Sequence, residues 1–142
     1  MSPAISSIVD SWQSEIAAHL RPGLAMETVA ATFHSVGRKP SADVMFLYSL
    51  CGGMESVNVE DKRLFAFWPL ESAAKATEAV PLPYFVFGDG FVSSHRYSFH
   101  FESAEVSSVY GDYSDGAFTK LAESVDEFFL FLRRDPQRLW LP

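Results

Sequence analysis

A chain of 142 residues with 48% hydrophobic and 15% aromatic content is long enough for one packed core and too apolar for a disordered segment. Its formal net charge of −7, from 18 Asp and Glu against 11 Lys and Arg, excludes a general nucleic-acid binder, because phosphate contacts need clustered cations. The single Cys51 excludes an intrachain disulfide and a multi-cysteine zinc site, and no apolar run approaches the roughly 20 residues of a membrane-spanning helix.

The opening "MSPAISSIVDSWQSEI" has no basic or continuously apolar region, so a signal peptide is not expected and a cytoplasmic location is. Ile5, Ile8, Val9, Trp12, Ile16 and Leu20 fall on one helical stripe, which predicts a helix over 5–20 that stops at Arg21-Pro22-Gly23. Met26, Val29, Ala30 and Phe33 predict a second helix closed by Gly37. "PSADVMFLYSLCGG" predicts a third, with Ser41 as N-cap and Gly52-Gly53 as terminator.

The pattern then changes. "RLFAFW" at 63–68 reads as a strand ending at Pro69, and residues 69–79 as a short helix with proline in its first turn. "YFVF", "HRYSFHF", "VSSVYG" and "FTKLA" supply further strands, with Gly88-Asp89-Gly90 expected as a hairpin turn whose glycines take positive φ. Ser124 and Glu127 form the capping box of a last helix that carries Val125, Phe128, Phe129 and Leu132 on one face and ends in Arg133-Arg134. Helices, then strands, then a helix predict an α+β fold: one domain over 1–142, with a mostly antiparallel sheet packed against N-terminal helices and a C-terminal helix.

No motif spells out a reaction. Asp89, Ser93 or Ser94, and His95 are ingredients of a nucleophilic triad, but no nucleophile elbow surrounds the serines. His95 and His100 are an odd number of residues apart, which on one strand sends them to opposite faces, and His19 and His34 lack neighbours at ligand spacing. Gly88-Asp89-Gly90 is followed by a strand, whereas a phosphate cradle leads into a helix. No metal and no cofactor is therefore expected.

Along 95–101, Tyr97, Phe99 and Phe101 share one face, and Arg96, Ser98 and His100 share the other, as in a sheet with one side on the core. Between Asp89 and Glu127 eight acids face two bases, Arg96 and Lys120. Helix-start preference accounts for Glu123, Asp126 and Glu127. Glu102, Glu105, Asp112 and Asp115 remain, expected in turns, where an acidic rim would steer a basic protein into contact.

Four stretches, "FLYSLCGGM", "LFAFWPLESAA", "YFVFGDGFVSSHRYSFHF" and "VYGDYSDGAFTKLAESVDEFFLFL", resemble in order and character the SUKH superfamily over residues 38–135. That superfamily includes fungal cell-wall-assembly-regulator-like domains and bacterial immunity proteins. The resemblance implies a non-enzymatic α+β module that binds and neutralises a toxin, frequently a nuclease, and an acidic inhibitor suits a cationic nuclease. The surface expected to bind comprises Arg96, Ser98, His100, Glu102, Glu105, Asp112 and Asp115. The alternatives are a regulatory or scaffold domain with an intracellular protein partner, and a small-ligand binder or hydrolase built on Asp89 and His95.

Overall fold

The computed structural model describes residues 2–56, 58–90 and 95–139. The first apolar stripe winds Pro3–Ile16 into α1, which buries Ile5, Ile8, Val9 and Trp12. The helix expected to reach Leu20 instead tightens into a single 3-10 turn over Ala17–His19. The chain leaves the helix there because Leu20 bridges to Met54 and the Arg21 N–H donates to the Gly53 carbonyl at 2.8 Å.

Helix α2, Met26–Ser35, is followed by Gly37 at φ +74, the left-handed position that glycine fills without strain. Arg38 comes next and is buried, with its guanidinium donating to the carbonyls of Val36, Val80 and Tyr84. Helix α3 spans Ala42–Leu50. Ser41 holds the N-cap position, yet its hydroxyl does not cap the backbone; it turns inward to Asp43 Oδ1 and the Ser107 hydroxyl.

Strands β1 (Phe65–Phe67), β2 (Phe85–Gly90), β3 (His95–Phe101), β4 (Ser107–Asp112) and β5 (Thr119–Ala122) form one sheet in sequential order, each pair antiparallel. Helix α4, Leu70–Thr77, joins β1 to β2, and its Thr77 hydroxyl accepts the Val86 N–H where β1 has ended. The last helix, α5, is Val125–Arg134, followed by a 3-10 turn over Pro136–Leu139. The α+β architecture with an antiparallel sheet is thus as the sequence pattern indicated.

Gly88-Asp89-Gly90 is not a turn. All three residues lie in β2, paired to Tyr97, Arg96 and His95, and neither glycine has positive φ. The glycine at 88 is required by proximity: a Cβ there would lie 2.2 Å from the Ala66 carbonyl oxygen of β1, beside a bulge between Val86 and Gly88. Before β1, the buried Asp61 accepts the Trp12 indole N–H at 2.9 Å and the backbone N–H groups of Arg63 and Phe65. That tight loop holds the exposed Leu64 at φ +62.

The core lies on one side of the sheet. Trp12 stacks on Phe65 and Phe67 and meets Phe129 edge-on. Phe33 of α2 stacks on Phe85, Tyr48 of α3 packs on Phe67 and Phe99, and Phe128 of α5 packs on Phe87 and Tyr97. Among the described residues, every ring contact between a helix and a strand falls on this side.

Candidate protein-binding face of the sheet

Strand alternation sends Arg96, Ser98 and His100 of β3 to the side opposite the helices. Register brings Asp89 and Val86 of β2 beside Arg96 and Ser98, and Asp112, Tyr110 and Ser108 of β4 beside Arg96, Ser98 and His100. Tyr84, one residue before β2, continues the same phase.

Over this floor lies an aromatic plate. Tyr84 stacks face to face on Phe118, with centroids 3.8 Å apart and an interplanar angle of 3°. Tyr84 comes from the approach to β2 and Phe118 from the approach to β5, so the two rings meet across β3 and β4. Tyr110 and His100 pack edge-on or tilted against Tyr84 and each other at 5.2–5.3 Å. All four rings are half-buried, while Ser98 and Ser108 beneath them are wholly buried.

The polar groups divide into satisfied and orphaned. The Ser108 hydroxyl donates to Glu102 Oε2 at 2.6 Å. His100 Nδ1 lies 2.9 Å from the same oxygen, an ion-pair distance without hydrogen-bond alignment. The Ser108 bond, aided by the nearby His100, holds the Glu102 carboxyl below the usual range despite some desolvation. Burial, then the neighbouring Tyr110 and Glu102, push the Tyr84 hydroxyl up. Asp112 Oδ2 accepts from Arg96 Nη2 and from the Ser114 N–H, each at 3.0 Å. By contrast Asp112 Oδ1, Arg96 Nε and Ser98 Oγ are buried with no hydrogen-bond partner among the described residues. Such groups carry an unmet desolvation cost.

The expected site residues do not all gather here. Arg96, Ser98, His100 and Glu102 do. Asp112 was expected in an acidic turn, but it is the last residue of β4, fully buried and neutralised by Arg96 across the strand pair. Glu105 and Asp115 are exposed at opposite ends of β4: Glu105 faces the start of α3, where its carbonyl accepts the Asp43 N–H, and Asp115 caps its own turn through the Ala117 N–H. Six residues of strand, roughly 20 Å, separate them. The four acids therefore form no single rim. Tyr84, Tyr110 and Phe118 were not anticipated; Tyr84 and Tyr110 are in phase with Val86 and Ser108, but only the register of β2 to β5 brings them together.

His95 is buried on the Tyr97 side, its Nε2 2.8 Å from the Tyr97 hydroxyl, and burial pushes its imidazole pKa down. Asp89 pairs with Arg96, one residue out of phase with His95. Ser93 and Ser94 lie outside the described residues. His19 pairs with Glu55 at 3.5 Å on the surface, and the Cys51 thiol is buried and pushed up by desolvation. Among the described residues, no three His, Cys, Asp or Glu side chains converge as metal ligands, and no helix is long and apolar enough to cross a membrane. No protein-family model matches this chain, and no curated protein matches it.

Proposed function

We propose that this chain is a non-enzymatic protein-binding module that docks a basic partner on the outer face of its sheet. The partner is a toxin domain, of the nuclease kind that the SUKH resemblance implies, and the chain is its immunity protein. The observation that supports this most is the plate of Tyr84, His100, Tyr110 and Phe118, with Arg96 at its edge and no described helix over it. Tyr and Arg dominate binding energy at protein interfaces because they combine large apolar area with a polar tip. A half-exposed aromatic patch rimmed by charge fits a contact surface. The net charge of −7 supplies long-range attraction to a cationic partner.

Co-purification from native cells tests this when run in parallel with wild type and the Tyr84→Ala/Tyr110→Ala double variant. The expected catch is a basic protein whose purified form binds the double variant at least about tenfold more weakly, as loss of an interface hot spot requires. Its toxicity in a host cell is relieved when this chain is co-expressed. A partner that binds both forms equally overturns the face. A partner that is harmless to cells overturns the immunity role in favour of a regulatory one.

A further inference from the structure

We infer that the groove between α2, α3 and the β3–β4 turn binds an anionic amphiphile: a medium-chain carboxylate whose tail lies along the groove and whose head group meets Lys39 and His34. This inference is independent of the outer sheet face. The groove has a volume of about 730 Å³, and Met26, Met45, Phe46 and Phe101 supply its apolar walls. Small-ligand sites are apolar clefts of this order with a few placed polar groups. Two methionines suit a tail without fixed shape, since the thioether side chain adapts its rotamers to irregular surfaces.

Charge selects the head group. In a chain of net charge −7, the ionisable residues lining this groove are both basic. Lys39 and His34 are exposed, and neither forms an ion pair among the described residues. The Lys39 ammonium stands 5.9 Å from the centre of the Phe101 ring, where the apolar wall ends. Its neighbour Arg38 is committed to three backbone carbonyls and is unavailable. The acids next in sequence to lining residues do not line the groove: Asp43 is turned into the protein, Glu102 is bonded by Ser108, and Glu27 and Glu105 lie outside it. A carboxylate head over an apolar tail matches that arrangement, whereas an ammonium head meets like charge.

Calorimetric titration of the full chain with dodecanoate and with dodecylammonium, below their micelle concentrations at neutral pH, tests the inference. Dodecanoate is expected to saturate one site and to bind roughly tenfold more tightly than the amine, the scale of a single partly exposed charge contact. Lys39→Glu is expected to reverse that preference, and Ala30→Trp, which fills the groove from α2, to abolish binding. Should Ala30→Trp fail to fold, Ser49→Trp at an exposed lining position takes its place. Absence of saturable binding overturns the inference, as does equal affinity for the two head groups. A dimer in solution that Ala30→Trp dissociates also overturns it, because the groove would then hold a second copy.

Discussion

Asp43, in the first turn of α3, accepts the backbone N–H of Val125 at 3.2 Å, eighty-two residues further on, at the start of α5. The same carboxylate takes the Val44 and Ser107 N–H groups and the Ser41 hydroxyl, so one side chain joins α3, β4 and α5. Beside it, Asp126 in the first turn of α5 accepts the N–H groups of Ala4 and Ile5 at the start of α1. Three helix N-termini thus meet at two carboxylates, each placed where helix dipoles favour negative charge.

Asp43→Ala leaves buried donors from three elements without an acceptor and is expected to cost about 3 kcal/mol or more in urea unfolding. Asp43→Asn, which keeps one acceptor oxygen, costs less. Burial outweighs the hydrogen bonds and raises the Asp43 pKa above its ordinary value of 3.8. The folded chain therefore retains a proton that the unfolded chain gives up. The stability this group contributes is present below pH 3.8 and lost as pH rises through the raised folded value. Unfolding of the Asn variant across that window should lack this component; an unchanged pH slope rules it out.

Backbone geometry ranks four substitutions. Gly88→Ala sets a methyl 2.2 Å from the Ala66 carbonyl oxygen, and Gly23→Ala sets one 1.9 Å from that of Ser49. Each is expected to cost about 2–3 kcal/mol as backbone shifts to relieve the clash. Gly116→Ala meets open space and bears only the strain of φ +81, about 1 kcal/mol. Leu64→Gly relieves the left-handed strain of φ +62 at an exposed position, which outweighs the unfolded-state entropy that glycine adds, and is expected to raise stability by about 0.5 kcal/mol. Denaturant midpoints at constant m-value check the order, and a stabilised Gly88→Ala would contradict the close approach of β1 to β2.

The stacked pair Tyr84 and Phe118 should be coupled. A double-mutant cycle to alanine is expected to give an interaction energy of about 0.5–1.5 kcal/mol, the value for a well-formed aromatic pair. Additive losses would mean that the two rings do not stack in solution.

Asp112 and Asp115 are three residues apart but differ in burial and in partners. Asp112→Ala strands the half-buried Arg96 and is expected to cost about 3–5 kcal/mol. Asp115→Asn, in an exposed turn, stays within about 0.5 kcal/mol. Partner binding should reverse the ranking for salt dependence: Asp115→Asn and Glu105→Gln reduce it, whereas charge already neutralised by Arg96 adds little. Binding indifferent to ionic strength removes the electrostatic steering.

The elements were legible because their signals are local. The stripe of Ile5, Ile8, Val9 and Trp12, the Ser124–Glu127 bond, and the alternation along β3 each lie within a few residues. The errors arose where distant segments decide. Gly88 looks like a turn residue until Ala66 is placed against it, and Asp112 looks like rim charge until Arg96 is found opposite. The aromatic plate draws on His100 of β3, Tyr110 of β4, and Tyr84 and Phe118 from the approaches to β2 and β5, and no spacing in the sequence announces it. The polar side of β3 was readable from alternation; what lies over it required the register.

The Asp126 clasp on α1 has a consequence for synthesis. The first helix leaves the ribosome long before its acceptor, which follows 122 residues after Ala4, and Phe129, one of the rings on Trp12, comes later still. A short helix with uncapped N–H groups and an apolar stripe lacking its partner is marginal in water. Chains arrested before Asp126 should therefore expose Trp12 and its stripe to chaperones and proteases, while the β2–β4 meander, closed by short connections, is complete earlier. Within this stretch α1 is made before α5 and has its first turn secured by it.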